Sequence, residues 1–234
     1  MAATIAIVFA VMIAIAHYLS DRFCVLCRRV WVEIISFVAG IAIVYVFVNL
    51  YPEFYSAASF VSPFIFTSVF LGFSIFYLID KEIYQKIRHE EVPKNIELAH
   101  GYGLTIYYFV VGIALVRLLS ISIKEGTLFF IPVFIYAGMS TIASHGIHGM
   151  HAPPYRVLTP LHEIQAMGVI LGTLVALFVS IPEFFLLYLT GLIVGILTYI
   201  VIRDMLPKGK IGKPFFFVFG AFSYLTLIVI LWYL

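Results

Sequence analysis

The segment TIASHGIHGMHAPP, residues 141–154, places His145, His148 and His151 three residues apart at the end of a long apolar run. Imidazole nitrogen is a ligand of zinc, iron, nickel and copper. On an ideal helix each three-residue step rises ~4.5 Å and turns ~60°, so two neighbouring rings can share an ion but all three cannot. The pattern therefore predicts either a metal site on two histidines or histidines at the membrane surface, before the helix ends at Pro153 and Pro154.

The same segment carries a stripe of polar residues. Ser140, Ser144, His148 and His151 follow one another at intervals of four, four and three residues, with Thr141 and His145 beside them. At ~100° per residue this spacing places the polar groups on one face of a helix. Polar groups that face the interior of a membrane protein often line a path for a substrate or an ion, so the stripe predicts such a path.

A second polar group begins the next apolar segment. The sequence LTPLHEIQAMG, residues 158–168, contains His162, Glu163 and Gln165, of which Gln165 lies deepest in the segment. A short loop makes the two helices antiparallel neighbours, so these side chains can face the histidines. Tyr107 and Tyr108, in an earlier segment, are interpreted either as aromatic packing or as polar lining of the same path.

The composition indicates what kind of protein must position these residues. Of the 234 residues, 63% are hydrophobic and 11% are charged, whereas ordinary soluble domains carry about 25% charged residues. The charged residues separate apolar runs near the ~20 residues that a helix needs to cross a bilayer. We therefore predict an all-α integral membrane protein whose single transmembrane domain covers residues 1–234.

Eight membrane-spanning helices are expected from the apolar runs. Their approximate ranges are 2–19, 32–50, 60–78, 103–123, 128–152, 157–181, 184–202 and 215–234. The sixth and seventh ranges form one apolar stretch that is too long for a single crossing. The tripeptide Ile181–Glu183, which contains Pro182, is expected to divide it.

The basic residues set the expected orientation. Every Lys and Arg except Arg117 and Lys124 lies in the loops that follow the first, third, fifth and seventh spans. By the positive-inside rule these loops are cytoplasmic, which puts both termini on the non-cytoplasmic side of a plasma membrane. Cys24 and Cys27 then lie in a reducing compartment, and they are interpreted either as small interfacial residues or as half of a zinc site.

The second and seventh spans are similar in sequence. GIAIVYVFVNLYPE, residues 40–53, and GILTYIVIRDMLPK, residues 195–208, align without a gap. The alignment pairs Gly40 with Gly195, Asn49 with Asp204, Leu50 with Met205, and Pro52 with Pro207. Because the two spans cross in opposite directions, the match predicts an inverted repeat, which flanks a midplane binding site in transporters. The alternative is two similar apolar helices with polar ends.

These segments resemble the ZIP (zinc and iron permease) family of divalent-metal transporters. FVAGIAIVYVFVNLYPE, residues 37–53, resembles that family's second helix, which ends in His-Leu-Leu-Pro-Glu, with Asn49 in place of the histidine. LTGLIVGILTYIVIRDMLPK, residues 189–208, resembles its seventh helix. The resemblance implies eight helices with both ends outside, in which helices 1–3 and 6–8 form an inverted repeat around helices 4 and 5.

The family's metal-binding motifs are altered in this chain. Where the fourth helix of the family reads His-Asn-x-Pro-Glu-Gly, this chain reads YYFVVG, residues 107–112, with Tyr107, Tyr108 and Val111 at the ligand positions. This replacement removes both an imidazole and a carboxylate. The resemblance thus implies a metal site that is less acidic than the family's oxygen-rich centre.

The fifth and sixth helices supply the implied ligands. HGIHG, residues 145–149, puts His145 and His148 at ligand positions, and QAMG, residues 165–168, puts Gln165 where the family has a glutamate. The implied metal site is His145, His148 and Gln165 with Glu163 nearby, and its substrate is a single softer ion, zinc or iron. Residues implied along the path or around the site are His151, His162, Ser144, Tyr107, Tyr108, Asn49, Glu53 and Asp204.

Three functions remain open from the sequence. The first is a permease for a divalent transition-metal ion, which is not an enzyme. The second is a ZIP-like scaffold that has lost transport and serves as an accessory subunit of a membrane complex. The third is an intramembrane metalloenzyme that uses a metal-bound water. The expected partners are the lipid bilayer, the metal ion, and either a second copy of the chain or another membrane subunit; the chain has no basic patch for nucleic acid.

Overall fold

The protein is helical throughout the part of the chain that the structure describes. The computed structural model describes residues 1–20, 30–86, 94–148, 159–206 and 212–233, and within these ranges it contains helices and no β-strand. A helix satisfies every backbone N–H and C=O within its own segment, which is what an apolar run in lipid requires. The expected all-α class is confirmed for these residues.

The described ranges contain the following α-helices. In chain order they are α1 (Ala2–Tyr18), α2 (Trp31–Val44), α3 (Tyr51–Ser59), α4 (Phe66–Lys86), α5 (Lys94–Ile121), α6 (Ile123–His148), α7 (Thr159–Phe178), α8 (Glu183–Ile200) and α9 (Pro214–Tyr233). Two π-helical segments depart from the regular pattern. Tyr45–Leu50 joins α2 to α3, and Val201–Met205 continues α8. Segments of this kind are rare and frequently lie at functional sites.

Local sequence signals account for two helix boundaries. Helix α7 ends at Phe178 and α8 begins at Glu183 directly after Pro182, at the break expected between the sixth and seventh spans. Before α4, the Ser62 hydroxyl accepts a hydrogen bond from the Phe64 N–H and so caps a short 3-10 turn. Both boundaries follow from proline geometry and side-chain capping.

Some helices extend well beyond the expected spans. The second range, 32–50, continues as helix through the π-helical segment and α3 to Ser59. Pro52 lies inside this continuous stretch, just after the π-helical segment, and has no N–H to donate to the preceding turn. Helix α4 continues to Lys86 and α5 begins at Lys94, outside the apolar ranges 60–78 and 103–123.

Several helices have the length and composition of membrane spans. Among the described residues, four stretches qualify: Val32–Ser59, Gly103–Ile121, Glu183–Arg203 and Pro214–Tyr233, with mean hydropathies of 2.2, 2.0, 2.4 and 2.2. Shorter apolar helices cover Ala2–Tyr18, Pro63–Ile79 and Glu163–Phe178. These features are those of a membrane protein with several transmembrane helices.

Pairs of glycines bring three pairs of helices into close contact. Helix α2 meets α9 at Gly40 and Gly220, α4 meets α8 at Gly72 and Gly195, and α5 meets α7 at Gly112 and Gly172. A Cβ atom on any of these glycines would collide with backbone atoms of the facing helix. Small residues at such contacts are typical of membrane helices, whose association depends on close van der Waals packing.

Helices α1 and α6 complete the interior. Helix α1 packs against α5, α6 and α7, and its Phe9 stacks on Phe130 of α6 with ring centroids 4.0 Å apart. Helix α6 contains Pro132, which has no N–H to donate to the carbonyl of Leu128 one turn earlier. The hydroxyl of Tyr224 on α9 donates to that carbonyl instead, at 2.6 Å, so α9 supplies the hydrogen bond that the proline removes.

Candidate functional site

A buried hydrogen-bonded cluster lies where α1, α5 and α7 meet. His17, in the last turn of α1, is 1% exposed, and its Nε2 lies 2.9 Å from Oε1 of Gln165 on α7. Its Nδ1 lies 3.2 Å from the hydroxyl of Tyr108 on α5. The His17 and Tyr108 rings also contact each other, with centroids 4.7 Å apart. We call His17, Tyr108 and Gln165 the His17 cluster.

The hydrogen bonds of the His17 cluster fit a neutral imidazole. The Gln165 carbonyl oxygen can only accept, so Nε2 of His17 is the donor in that bond. In the neutral form Nδ1 is then the acceptor, and the Tyr108 hydroxyl can donate to it. The neutral imidazole is also the form of histidine that binds a metal ion.

Close packing of α5 against α7 brings the cluster together. On α7, Gly172 lies against the carbonyl of Phe109, and a Cβ at Gly168 would lie 3.0 Å from the Thr105 carbonyl oxygen. On α5, Gly112 lies against the backbone of Val169. These contacts flank Tyr108 and Gln165 along the same two helices, so the glycines set the distance across which the two side chains reach His17.

The two predicted site tyrosines have different surroundings. Both Tyr107 and Tyr108 are at most 1% exposed, and their ring centroids are 5.1 Å apart. The Tyr108 hydroxyl belongs to the His17 cluster, whereas the Tyr107 hydroxyl is buried without a hydrogen-bond partner among the described residues. Tyr107 packs edge-on against Phe76 and Tyr136. Tyr107 therefore matches the interpretation as aromatic packing, whereas the hydroxyl of Tyr108 belongs to a polar cluster.

Gln165 and Glu163 lie on different faces of α7. Gln165 is 3% exposed and faces the interior, whereas Glu163 is exposed. Residues two positions apart on a helix point ~200° apart, so this difference follows from helical geometry. The structure thus brings Gln165 to a buried histidine but does not bring Glu163 to the same place.

The predicted histidine ligands are only partly covered by the structure. The helical backbone of α6 includes Ser144, His145 and His148, and that of α7 includes His162, but their side chains lie outside the described part. The Asp204 side chain lies outside it as well, and so does all of His151. The grouping of His145, His148 and Gln165 remains a prediction.

A second polar cluster lies near the connection between α5 and α6. Asn49, in the first π-helical segment, is 5% exposed, and its Nδ2 donates to Oε2 of Glu125 at 3.0 Å. The carboxyl group of Glu53, one turn further along, is an immediate neighbour of the Glu125 carboxyl. The predicted pair Asn49 and Glu53 is therefore part of a partly buried acidic group that includes Glu125.

Arg117 lies beside this acidic group and joins α5 to α8. Its Nη2 donates to Oε1 of Glu183 at 2.9 Å, and its Nη1 lies 3.5 Å from the Thr190 hydroxyl. The Arg117 side chain is 7% exposed and that of Glu183 is 68% exposed. The guanidinium thus pairs with a carboxylate at the edge of the protein, and it also acts electrostatically on Glu53.

Sequence reasoning missed three residues of these clusters. His17 is the only histidine in the first expected span, and a single polar residue in an apolar helix is a signal that it faces the interior. Glu125 was not singled out from the sequence, and Arg117 entered only the prediction of orientation. Tyr45, Asn49 and Glu53 recur every four residues, which places them on one helix face and could have indicated the acidic cluster.

The described part of the chain has no group of three His, Cys, Asp or Glu side chains arranged to hold a metal ion. The described candidates for a ligand role are therefore His17 with Gln165 and the Glu53 and Glu125 carboxyls, each needing further donors. No protein-family model matches the chain, and no curated protein is similar to it in sequence.

Proposed function

We propose that the chain is a ZIP-like membrane permease that moves a divalent transition-metal ion, zinc or iron, toward the cytoplasm. The observation that carries this proposal is a row of buried polar side chains through the helical interior. The Tyr45 hydroxyl lies close enough to Glu53 and Tyr107 to interact with them electrostatically. The Tyr107 ring in turn contacts the ring of Tyr108, which belongs to the His17 cluster. Buried polar groups in membrane helices are costly, and they commonly mark the route of an ion.

The two π-helical segments support the inverted repeat on which this architecture rests. The alignment of the second and seventh spans pairs residues 45–50 with residues 200–205. The π-helical segments are Tyr45–Leu50 and Val201–Met205, so they coincide in the alignment except for one residue. Since π-helical segments are rare, their occurrence at matching positions favours a common origin of the two helices.

The glycine contacts repeat in the same register. Gly40 lies against the carbonyl oxygen of Phe217 and the amide nitrogen of Ala221, which are four residues apart on the partner helix. Gly195 lies in the same way against the carbonyl oxygen of Val69 and the amide nitrogen of Phe73. The reciprocal contacts also align, because Gly220 lies against Phe37 and Gly72 lies against Leu192, each three residues before the aligned glycine. The pairing of the second span with the eighth thus parallels that of the seventh with the third, as the repeat requires.

The remaining parts of the proposal concern topology and ligands. Eight spans with both termini outside agree with the segregation of basic residues into alternate loops. The transported ion would bind His145, His148 and Gln165, and His17 places an imidazole next to Gln165. In this conformation the Gln165 oxygen is already engaged by a hydrogen bond with His17.

Uptake into proteoliposomes tests the proposed function. Purified protein reconstituted into liposomes is expected to accumulate Zn²⁺ or Fe²⁺ above the protein-free background, because two imidazoles and an amide suffice to select ions of this class. The His145→Ala/His148→Ala variant should fall to that background. His89→Ala, which removes a histidine from the loop after the third span, is the matched control and should retain uptake.

Each outcome of this experiment is decisive for one part of the proposal. Full uptake by the double variant would contradict the assignment of His145 and His148 as ligands. Absence of uptake by the wild type would contradict transport itself and favour the accessory-subunit function. That second candidate is supported by one observation, the engagement of Gln165 by His17, and it predicts that stoichiometric partner chains co-purify with the protein.

A further inference from the structure

We propose that Glu53 and Glu125, together with Asn49 and Tyr45, form a binding site for a hard divalent cation of the Mg²⁺ or Mn²⁺ class. This site is distinct from the predicted histidine site, since its ligands come from the π-helical segment, α3 and the first turn of α6. The proposal concerns binding alone and does not require that the ion be transported. We call these four residues the acidic site.

The geometry of two elements aims the four side chains at one place. Tyr45, Asn49 and Glu53 are each four residues apart along a continuous helical stretch and therefore share a face. Glu125 reaches this face from α6, and the Asn49 amide holds its carboxylate by a hydrogen bond of 3.0 Å. Because Nδ2 of Asn49 is used in that bond, its Oδ1 remains the atom that can accept or coordinate.

The acidic site contains polar atoms that the protein itself leaves unsatisfied. Both carboxyl oxygens of Glu53 and the hydroxyl of Tyr45 are inaccessible to solvent and have no hydrogen-bond partner within the described ranges. Tyr45 is 1% exposed, and its hydroxyl is an electrostatic neighbour of both carboxyl groups. The Glu53 carboxyl lies against that of Glu125, and an ionised carboxylate buried without a positive partner costs several kcal/mol. A bound cation would offset this cost.

The nearby cations do not supply that charge. Arg117 is the basic residue that acts on Glu53, but its guanidinium is already bonded to Glu183 at 2.9 Å and lies beside Thr190. Lys124, next to Glu125 in sequence, donates to the carbonyl of Leu231 at 2.8 Å. The Tyr224 hydroxyl, which also faces this region, donates to the Leu128 carbonyl. Among the described residues neither carboxyl is therefore part of an ion pair, although Asn49 donates to Glu125 and Arg117 acts electrostatically on Glu53.

The donor chemistry specifies the class of ion. Every available donor is an oxygen: two carboxylates, an amide carbonyl and a phenol hydroxyl. Oxygen donors select hard cations over the softer ions that imidazole and thiolate prefer. Mg²⁺ and similar ions keep several waters and bind through one or two carboxylates, which matches a pair of glutamates better than it matches a Ca²⁺ site with six to eight protein oxygens.

Binding of Mn²⁺ to the purified full-length protein in detergent tests this inference. Electron paramagnetic resonance measures the free ion, so the bound fraction follows directly. Glu53→Gln and Glu125→Gln keep the side-chain shape and should each weaken this Mn²⁺ binding by roughly tenfold or more. Glu33→Gln removes a carboxyl near Lys213, outside the acidic site, and is expected to bind like the wild type.

Two further measurements separate binding from folding and from transport. Thermal unfolding of each variant should show that the glutamine substitutions leave the protein folded. The His145→Ala/His148→Ala variant should retain the Glu53-dependent Mn²⁺ binding even where uptake is lost. Wild-type binding no stronger than that of Glu53→Gln would overturn the acidic site, and so would an equal loss in Glu33→Gln.

Discussion

Tyr107 and Tyr108 are adjacent, equally buried and of the same size, yet their hydroxyls have different roles. The Tyr108 hydroxyl donates to Nδ1 of His17, while that of Tyr107 is buried without a partner in the described part of the chain. A buried hydrogen bond contributes about 1 kcal/mol net, whereas a buried unpaired hydroxyl is a cost. Comparing the two residues therefore distinguishes the stability that a hydrogen-bonded hydroxyl contributes from the stability that the buried aromatic ring contributes.

We predict opposite effects of removing the two hydroxyls. Tyr108→Phe should destabilise the protein by about 1–3 kcal/mol, because it removes the buried hydrogen bond between the Tyr108 hydroxyl and Nδ1 of His17. Tyr107→Phe should be neutral or stabilising, because it removes an unpaired polar atom without creating a cavity. Unfolding of both variants in the same detergent measures the difference. Equal destabilisation by the two substitutions would show that Tyr107 has a hydrogen-bond partner.

At the scale of elements, a hydrogen bond from α9 satisfies a backbone carbonyl of α6 that a proline of α6 leaves without its usual donor. Pro132 cannot donate to the Leu128 carbonyl, and the Tyr224 hydroxyl does so from α9. In a membrane no water replaces a lost backbone partner, so neighbouring helices must satisfy the freed group. The Tyr224 ring also lies edge-on to that of Tyr45, with centroids 6.4 Å apart.

A double-mutant cycle tests this compensation. Tyr224→Phe should destabilise the protein by about 1–3 kcal/mol, because the Leu128 carbonyl loses its donor. In a Pro132→Ala background the restored N–H of residue 132 can bond to that carbonyl, so the same Tyr224→Phe substitution should cost much less. The measurement is the free energy of unfolding of the four proteins. Equal costs in both backgrounds would mean that Tyr224 does not replace the bond lost at Pro132.

The elements also show which parts of the fold the sequence can predict. Charge segregation and proline predicted the helical class and the break at Pro182, because both depend on neighbours in sequence. The aligned glycines of the second and seventh spans occupy matching contacts. The π-helical segments and the continuation of the second span into α3 were not predicted, since the hydrogen-bond register of a helix depends on what packs against it.

The candidate site was harder to predict than the fold for a related reason. His17 and Gln165 are 148 residues apart in sequence, and no periodicity connects them. Gln165 was identified from its depth in an apolar segment, and Tyr108 from its place in a motif. Neither argument indicates that a residue of the first helix is their partner. Glu125 was missed because a charge at a helix start is usually solvated, and only packing shows that Asn49 covers it.

At the scale of the whole molecule, charge is distributed unequally between the two ends. Arg117, Glu125 and Glu183 meet where α5 connects to α6, together with Lys124. The other basic residues lie in the alternate loops. The rule that cytoplasmic loops carry the excess of Lys and Arg predicts an orientation with the α5–α6 connection and both termini outside. This orientation would also direct the acidic site toward the non-cytoplasmic side.

Cysteine labelling of intact cells tests this orientation, because the chain has only two cysteines, Cys24 and Cys27, in the first predicted cytoplasmic loop. A membrane-impermeant maleimide should label the wild type only after the membrane is permeabilised. In a Cys24→Ser/Cys27→Ser background, which should not label at all, Lys124→Cys should label without permeabilisation, since Lys124 is exposed at the opposite end. Labelling of Cys24 or Cys27 in intact cells, with Lys124→Cys protected, would reverse the orientation. The acidic site would then face the cytoplasm and the histidine stripe of α6 the outside, so an inward permease would take up its ion through the histidines first.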